Sequence, residues 1–321
     1  MKRFAILMLV ALIIPACGDP VPPPTPEQIP APGSTAYPHA LVKESVFDAG
    51  LGTEYRLFEP DGPPLLSAPV VVFLHGWGGV EPAYYRPWID HLARRGNVVL
   101  WVRYQESVAT LSLFFVSNML AAVKNGIARL EQDADRPKPE LDKFAVVGHS
   151  MGGVLTMTLA ARAAAEGLPP FKAVMCANPG RGITGNEVLA DYSLIPASTL
   201  LLCVSGSEDP TLGPDGPFFF AQASNVPLDH KNHILVNSDY YSAPPLVADH
   251  FAPNCLTAAD VNALDVNGYW KWFDGLSAAA FYGRYREYAL GNTTEQRFMG
   301  LWPDGTPIQE ATVTDGAGTV P

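Results

Sequence analysis

Short apolar runs alternate along the chain with longer segments whose apolar residues recur at helical spacing. Residues 70–74 read Val-Val-Val-Phe-Leu, a continuous run typical of a strand buried on both faces. Residues 82–95 show a helical pattern that ends in Arg-Arg-Gly. Because such segments alternate from residue 39 onward, we predict an α/β fold: a mostly parallel central sheet with helices on both faces. The other predicted strands are 42–47, 55–59, 98–102, 144–148, 173–177, 199–204 and 234–237, and the other predicted helices are 112–133, 151–166 and 258–274.

The N-terminus departs from this alternation. A basic start precedes an apolar run over residues 4–14, which is too short to span a bilayer, and Ile-Pro-Ala-Cys follows. This order is typical of a secretory signal peptide, and its end resembles a bacterial lipobox, with Pro15 as an unusual occupant. We therefore expect residues 1–16 to be a signal peptide and Cys17 to be lipidated. The product would be an exported bacterial lipoprotein, anchored at the periplasmic face or the cell surface. The alternative is an ordinary signal peptide followed by an incidental cysteine.

A proline-rich segment follows Cys17. Residues 19–38 contain eight prolines and few residues that could build a core. Together with the cysteine, residues 17–38 are predicted to form a lipidated, semi-extended tether. The rest of the chain, 39–321, is predicted to be a single domain, because no second core is visible. Its last part, 285–321, mixes polar residues with Gly and Pro and is left unassigned.

Composition excludes several classes of protein. The chain has 321 residues, of which 48% are hydrophobic and 17% charged, so that a disordered chain is not expected. Its 32 acidic and 21 basic residues give a net charge of -11, which argues against binding to nucleic acid. Lipidation of Cys17 would leave three cysteines, an odd number, so that a disulfide framework is not the basis of the fold. We expect a monomer.

The strongest chemical motif is Gly-His-Ser-Met-Gly at 148–152. It fits the Gly-x-Ser-x-Gly pattern and lies between a predicted buried strand and a predicted helix, where a nucleophile elbow is found. The tight turn would expose the hydroxyl of Ser150, with the positive end of the helix dipole pointing toward it. Ser150 is therefore the predicted nucleophile. The alternative is a tight turn with an inert serine.

A second glycine-rich segment, His-Gly-Trp-Gly-Gly at 75–79, follows the first predicted parallel strand. A loop in this position can supply one backbone N–H to an oxyanion hole, and the residue after the nucleophile supplies the other. The predicted donors are Trp77 and Met151. His75 is expected to organise the loop by hydrogen bonding. A turn that only packs is the alternative for the last two glycines.

The acid and the base are predicted from the strands that they follow. Asp209 follows the strand at 199–204 and is the chosen acid, with Glu208 as the near alternative. His250 is the only histidine beyond the last predicted parallel strand and is the chosen base. The order nucleophile, acid, base along the chain is the one expected for this architecture. His230 and His233 are expected to face solvent or to cap the strand.

This constellation implies acyl transfer to water. His250 would accept the proton of Ser150 while Asp209 holds the imidazole, and no cofactor is needed. No metal site is predicted: residues 263–268 mimic a calcium loop only in part, and His230 and His233 fall on opposite faces of a strand.

The sequence also resembles the α/β-hydrolase superfamily, over roughly residues 69–178 and 198–275. The closest likeness is to bacterial cutinases and polyester hydrolases, with chlorophyllase-like and dienelactone-hydrolase-like esterases nearby. The segments that carry the resemblance are the elbow at 148–152, His-Phe-Ala-Pro-Asn at 250–254 and Tyr-Trp-Lys-Trp-Phe-Asp at 269–274. The resemblance implies a serine esterase, but the loop at 75–77 departs from the polyester-active group, so that polyester activity does not follow.

The expected site is open. About twenty residues separate 177 from 199, which leaves no room for a large lid domain. Trp77, Tyr84 and Tyr85 are predicted to line the substrate site. We therefore expect a membrane-anchored serine hydrolase acting on carboxylic esters. An acyltransferase or a peptidase with the same triad is the alternative within enzymes, and a non-catalytic surface protein on a hydrolase scaffold is the alternative outside them.

Overall fold

The computed structural model describes residues 28–48, 54–182, 185–209 and 215–315. These residues contain the strands β1 (Leu41–Phe47), β2 (Tyr55–Asp61), β3 (Ser67–Leu74), β4 (Val98–Val102), β5 (Lys138–His149), β6 (Ala173–Ala177), β7 (Leu200–Gly206), β8 (Lys231–Val236) and β9 (Thr312–Thr314). They also contain the helices α1 (Arg86–Arg94), α2 (Phe115–Gln132), α3 (Met151–Arg162), α4 (Asp215–Gln222), α5 (Lys271–Tyr282) and α6 (Thr294–Arg297).

All of these strands join one sheet, in the order β1-β2-β4-β3-β5-β6-β7-β8-β9. The strands from β4 through β8 in this order pair in parallel, whereas β1, β2 and β9 pair antiparallel at the two edges. The predicted α/β fold is therefore confirmed. Because β4 and β5 flank β3 on opposite sides, the strand order reverses at β3. The carboxyl ends of parallel strands at such a point form a crevice suited to a ligand.

Two apolar cores lie on the two faces of the sheet. Val70 and Val72 of β3 point to the core shared with α2, α3 and α4, whereas Val71 and Phe73 point to the core shared with α1 and α5. This division follows from the alternation of side chains along a strand. It also explains why the run at 70–74 is apolar throughout. In the described part of the chain, no helix combines the length and the apolar character that crossing a membrane requires.

Part of the predicted tether belongs to the folded domain. Ile29 is buried, and the backbone N–H of Gly33 donates to the carboxylate of Asp274 at 2.8 Å. The guanidinium of Arg95 donates to the carbonyl of Pro30 at 2.8 Å. Residues 28–38, the end of the predicted tether, therefore lie against α1 and α5. Residues 1–27, with the predicted signal peptide and Cys17, fall outside the described residues.

Several predicted elements have different bounds in the structure, among them the last helix and the last parallel strand. The last helix was predicted over 258–274, but Thr257 and Asp260 close a turn through a 2.8 Å hydrogen bond, and the helical segment begins with a π-helix at Asp265–Trp270 that continues into α5. The last parallel strand begins at Lys231, before the predicted start at 234. Its early residues are polar yet buried, which hid them from an apolar pattern. Lys231, for example, donates to the carbonyls of Phe220 and Ala223.

The unassigned tail contributes to the domain. Residues 312–314 form β9 and pair with β8, and α6 lies before them. Lys271 of α5 donates to the carbonyls of Glu295 and Gln296, which ties this tail to the domain. The helix α4, between β7 and β8, was not predicted.

Candidate active site

Ser150 lies in the turn between β5 and α3 with a strained backbone. Its φ is 56° and its ψ is -124°, in a region that residues with a side chain rarely adopt. The turn is also crowded, because a β-carbon at Gly148 would lie 2.4 Å from the carbonyl oxygen of Gly152. Glycine is therefore needed beside the serine, and the turn is the sharp elbow that the motif predicts.

Ser150, His250 and Asp209 form a hydrogen-bonded series across three loops. The Oγ of Ser150 lies 2.8 Å from Nε2 of His250, and Nδ1 of His250 lies 2.8 Å from Oδ2 of Asp209. The three loops follow β5, β8 and β7, so that all three side chains meet at the carboxyl edge of the sheet. A series of this kind can withdraw the proton of a serine hydroxyl as its oxygen attacks a carbonyl carbon.

Glu208, the alternative acid, faces elsewhere. Both of its carboxylate oxygens lie 2.8 Å from the hydroxyl of Tyr240. The expectation for His233 is wrong, because this residue is buried inside β8, with Nε2 3.1 Å from Oγ of Ser205. Burial lowers the pKa of His233 to about 4. His230 lies just before β8, where its Nδ1 donates to the carbonyl of Ala197 at 2.9 Å.

The loop after β3 lies beside Ser150. Three of its amides already have acceptors: Gly76 donates to Oη of Tyr85, Gly78 to Oε1 of Gln105, and Gly79 to the carbonyl of Gly76. Within the described ranges, no protein acceptor lies on the N–H of Trp77 or on that of Met151. These are the two amides predicted to bind an oxyanion.

His75 organises this loop from below. Its Nδ1 donates to the carbonyl of Gly76 at 2.7 Å, and its ring stacks on Trp101 and Tyr104. Burial lowers the pKa of His75 to about 4, so that the ring is neutral at pH 7. It does not contact Ser150 through a hydrogen bond and serves as part of the scaffold.

A cleft of about 730 Å³ opens above Ser150. Trp77 and Tyr84 lie on its rim, with Trp77 55% exposed. Tyr85 also borders the cleft but is only 1% exposed, and its hydroxyl is engaged by Gly76. The lining includes further apolar residues that the sequence did not point to, chiefly Val108, Leu111 and Phe251.

Two polar residues behind the site were also not predicted. His149 bonds through its two ring nitrogens to Tyr85 and to the backbone carbonyl of His250. Asn178 adopts a φ of 42° directly after β6, and its side-chain amide donates to the carbonyl of Asp249 at 2.8 Å. His149 occupies the variable position before the serine of the motif, and Asn178 follows a parallel strand. Position was therefore the only available signal for either residue.

The described residues contain no group of three or more His, Cys, Asp or Glu side chains arranged to hold a metal ion. Cys176, Cys203 and Cys255 are free, buried thiols. Burial raises the pKa of the Cys176 and Cys255 thiols, which makes them poor nucleophiles. Among the groups just described, only Ser150 combines access to the cleft with a neighbouring base.

The fold and the site define the class of protein. The sheet order, the elbow after β5 and the helices on both faces are those of an α/β-hydrolase. A family model described as chlorophyllase, a family of serine esterases in this superfamily, matches residues 65–192. The matched range contains the loop at 75–79 and the elbow at 148–152 but ends before Asp209 and His250. No curated protein matches the chain. The chain is similar to a chlorophyllase over this range, which supports a hydrolase of the esterase type.

Proposed function

We propose that the protein is a serine hydrolase that cleaves carboxylic esters through an acyl-enzyme intermediate. The observation that carries this proposal is the position of Ser150 on the floor of the cleft, with Oγ 2.8 Å from Nε2 of His250. His250 is in turn held by Asp209 at 2.8 Å. This is the arrangement in which a neutral imidazole can take the serine proton as the oxygen attacks a carbonyl carbon.

In the proposed reaction, Oγ of Ser150 bonds to the ester carbon while its proton passes to Nε2 of His250. The carbonyl oxygen becomes an oxyanion within reach of the N–H groups of Trp77 and Met151, and each such donor is worth about 10²–10³ in kcat. The imidazolium then protonates the departing alcohol. Water then attacks the acyl carbon while His250 takes its proton, and the acid is released as this proton returns to Oγ of Ser150. Asp209 keeps the imidazole in one tautomer throughout.

The shape of the cleft supports esters with a large apolar group. Its volume of about 730 Å³ exceeds what a short ester fills, and apolar side chains such as Leu111 and Phe251 line it. Burial of each CH₂ group is worth about 0.8 kcal/mol, or roughly a factor of 4. We therefore expect kcat/KM to rise with acyl length from C2 to C8. A series that falls from C2 onward would contradict this substrate class.

A fluorophosphonate probe tests the chemistry directly. We expect the wild-type protein to be labelled on Ser150 and the variants Ser150→Ala and His250→Ala to remain unlabelled. The chain provides a matched control, because Ser205 and His233 form a second serine–histidine contact at 3.1 Å that does not contribute to the cleft lining. Ser205→Ala and His233→Gln should be labelled like the wild type. Labelling that survives Ser150→Ala, or is lost in His233→Gln but not in His250→Ala, would overturn the assignment.

We further propose that the protein is exported and anchored by a lipid on Cys17. The proposal rests on the basic start, the apolar run at 4–14 and the small residue before Cys17. Loss of Lys2 and Arg3 with the signal would change the net charge from -11 to -13. In cell fractionation, wild-type protein should be found with the membranes and Cys17→Ser in the soluble fraction. Retention of the variant on the membrane would contradict lipidation.

A further inference from the structure

A buried series of hydrogen bonds runs behind the cleft from the loop after β3 to the backbone of His250. The N–H of Gly76 lies 2.9 Å from Oη of Tyr85, and this oxygen lies 2.8 Å from Nδ1 of His149. The Nε2 of His149 lies 2.7 Å from the carbonyl oxygen of His250. Tyr85 and His149 are almost entirely inaccessible to solvent. Direct hydrogen bonds thus join groups of residues 76, 85, 149 and 250.

The chemistry of the end groups fixes the direction of every bond in this series. A carbonyl oxygen only accepts, so Nε2 of His149 must carry the proton that it donates to His250. A backbone N–H only donates, so Oη of Tyr85 accepts from Gly76 and donates its own proton to Nδ1 of His149. Burial lowers the pKa of His149 to about 3, which agrees with a neutral ring that has one donor and one acceptor nitrogen.

Each end of the series adjoins a group that the proposed reaction uses. Gly76 directly precedes Trp77, whose N–H is a proposed oxyanion donor. His250 is the proposed base, so the carbonyl that His149 contacts belongs to the residue whose Nε2 faces Ser150 at 2.8 Å. The space around Gly76 is closed, because a β-carbon there would lie 3.1 Å from Oη of Tyr85 and 3.2 Å from Nδ1 of His149. The proposed oxyanion loop and the proposed base are therefore both held by Tyr85 and His149.

We propose that Tyr85 and His149 are positioning residues that fix the oxyanion loop and the general base at the correct distances from Ser150. This inference rests on the proposed serine hydrolase function. Neither residue hydrogen-bonds to Ser150, and His149 transfers no proton in this account. A displacement of about 1 Å between reacting groups lowers kcat by about 10²-fold, which sets the scale of the effect.

The chemistry of His149 suggests a discriminating pair of substitutions. Leucine fills much of the space but breaks both bonds, whereas glutamine keeps an amide donor and a carbonyl acceptor on a neutral side chain. We expect His149→Leu to lower kcat for a short soluble ester by about 10- to 10²-fold with little change in KM. His149→Gln should restore most of that kcat. If His149 transferred a proton, glutamine would not restore kcat. If His149 only filled space, His149→Leu would already keep kcat close to that of the wild type.

Tyr85→Phe removes the hydroxyl that joins the two ends and should likewise lower kcat. Because the bonds lie in series, the double variant Tyr85→Phe/His149→Leu should be no slower than the slower single variant. Tyr104→Phe is the matched control for the loss of a buried phenol: Tyr104 donates to the carbonyl of His75 at 2.9 Å and lies outside the series. It should have a smaller effect on kcat than Tyr85→Phe.

The outcomes separate the inference from the function on which it rests. If the wild type hydrolyses esters and is labelled by fluorophosphonate while His149→Leu keeps wild-type kcat, the positioning role is wrong and the hydrolase function stands. Additive effects in the double variant, or a His149→Gln variant that is folded by circular dichroism yet as slow as His149→Leu, would also overturn the positioning role. If the wild type is neither labelled nor active, the proposed function fails first.

Discussion

A β-carbon at Gly152 would lie 2.2 Å from the carbonyl oxygen of Leu74. The first turn of α3 therefore packs directly on the end of β3, and this contact sets the distance between the elbow and the loop after β3. Gly152→Ala must push these backbones apart. We expect the free energy of unfolding in urea to fall by about 1–3 kcal/mol and ester hydrolysis to slow.

Gly153→Ala is the graded comparison, because its nearest neighbour would be Cα of Pro179 at 3.2 Å. It should cost less stability than Gly152→Ala. Equal unfolding midpoints for Gly152→Ala and the wild type would show that the two backbones separate without strain, and the close packing at this point would then be unimportant.

The choice between Asp209 and Glu208 can be tested by removing one charge at a time. Asp209→Asn leaves a side chain of similar size but removes the carboxylate that fixes the tautomer of His250, so kcat should fall by about 10³–10⁴-fold. Glu208→Gln alters only a contact with Tyr240 and should leave kcat close to that of the wild type. Steady-state kinetics on a soluble ester is the measurement. A large loss in Glu208→Gln together with a small loss in Asp209→Asn would reverse the assignment.

The carboxylate of Asp274 joins the N-terminal segment to the domain. It is buried and lies 3.0 Å from His91, 3.2 Å from Arg95 and 2.8 Å from the N–H of Gly33. Burial alone would raise the pKa of Asp274, but the interactions with Arg95 and His91, together with the hydrogen bond from the N–H of Gly33, outweigh it and lower this pKa. Asp274→Asn removes the carboxylate that pairs with the buried Arg95, so the free energy of unfolding should fall by about 3–5 kcal/mol.

The stability that the Asp274 carboxylate contributes should depend on pH. Because its pKa is lower in the folded state, the stability that it contributes is present above its unfolded pKa of about 3.9 and is lost as the pH falls through the folded value. The gap between wild type and Asp274→Asn should therefore narrow below about pH 4. Asp90→Asn is the control, since Asp90 pairs with Arg86 in a partly exposed position and should cost no more than about 1 kcal/mol. A gap that grows toward low pH would contradict the account.

Asp265 should show the opposite dependence on pH. Burial raises the pKa of this residue to about 6 despite the hydrogen bonds from the N–H of Asn262 and the thiol of Cys255. Between about pH 4 and 6 the folded state holds a proton that the unfolded state has lost, so stability falls as the pH rises through this range. The difference of about two pKa units corresponds to at most about 3 kcal/mol.

Urea unfolding of wild type and Asp265→Asn at pH 4, 5, 6 and 7 gives the free energy of unfolding of each protein. The contribution of Asp265 is the change with pH in the difference between these two free energies. Asp61→Asn, at the exposed end of β2, is the control and should run parallel to the wild type. Parallel curves for Asp265→Asn would mean that Asp265 ionises normally in the folded protein.

Much of the architecture could be predicted because its signals are local. Apolar runs such as 70–74 and 98–102 mark strands buried on both faces, and the predicted bounds of the strands at 98–102 and 173–177 agree with the structure. The elbow was also predictable, because small residues between a strand and a helix leave few other conformations. The prediction that His250 and Asp209 lie near Ser150 needed only the order of the strands, since the carboxyl ends of parallel strands meet at one edge of the sheet.

The remaining features depend on partners far away in sequence. Residues 28–38 have the composition of a spacer, and their contacts with Arg95 and Asp274 cannot be seen in the local sequence. His233 was expected to face solvent or to cap the strand, because no local pattern reveals that its ring finds a partner inside the fold. Tyr85 was expected to contact substrate, and the structure adds a role that its spacing could not indicate, a buried hydroxyl between Gly76 and His149.

The most direct test of the central claim is to trap the acyl-enzyme. Wild-type protein mixed with excess p-nitrophenyl ester at low pH should release a burst of p-nitrophenol close to one equivalent. Mass spectrometry of the quenched protein should then find the acyl group on the peptide that contains Ser150. His250→Ala should give neither burst nor acylated peptide. Steady hydrolysis by the wild type with no acyl group on Ser150, or an acyl group on any other residue, would contradict the account.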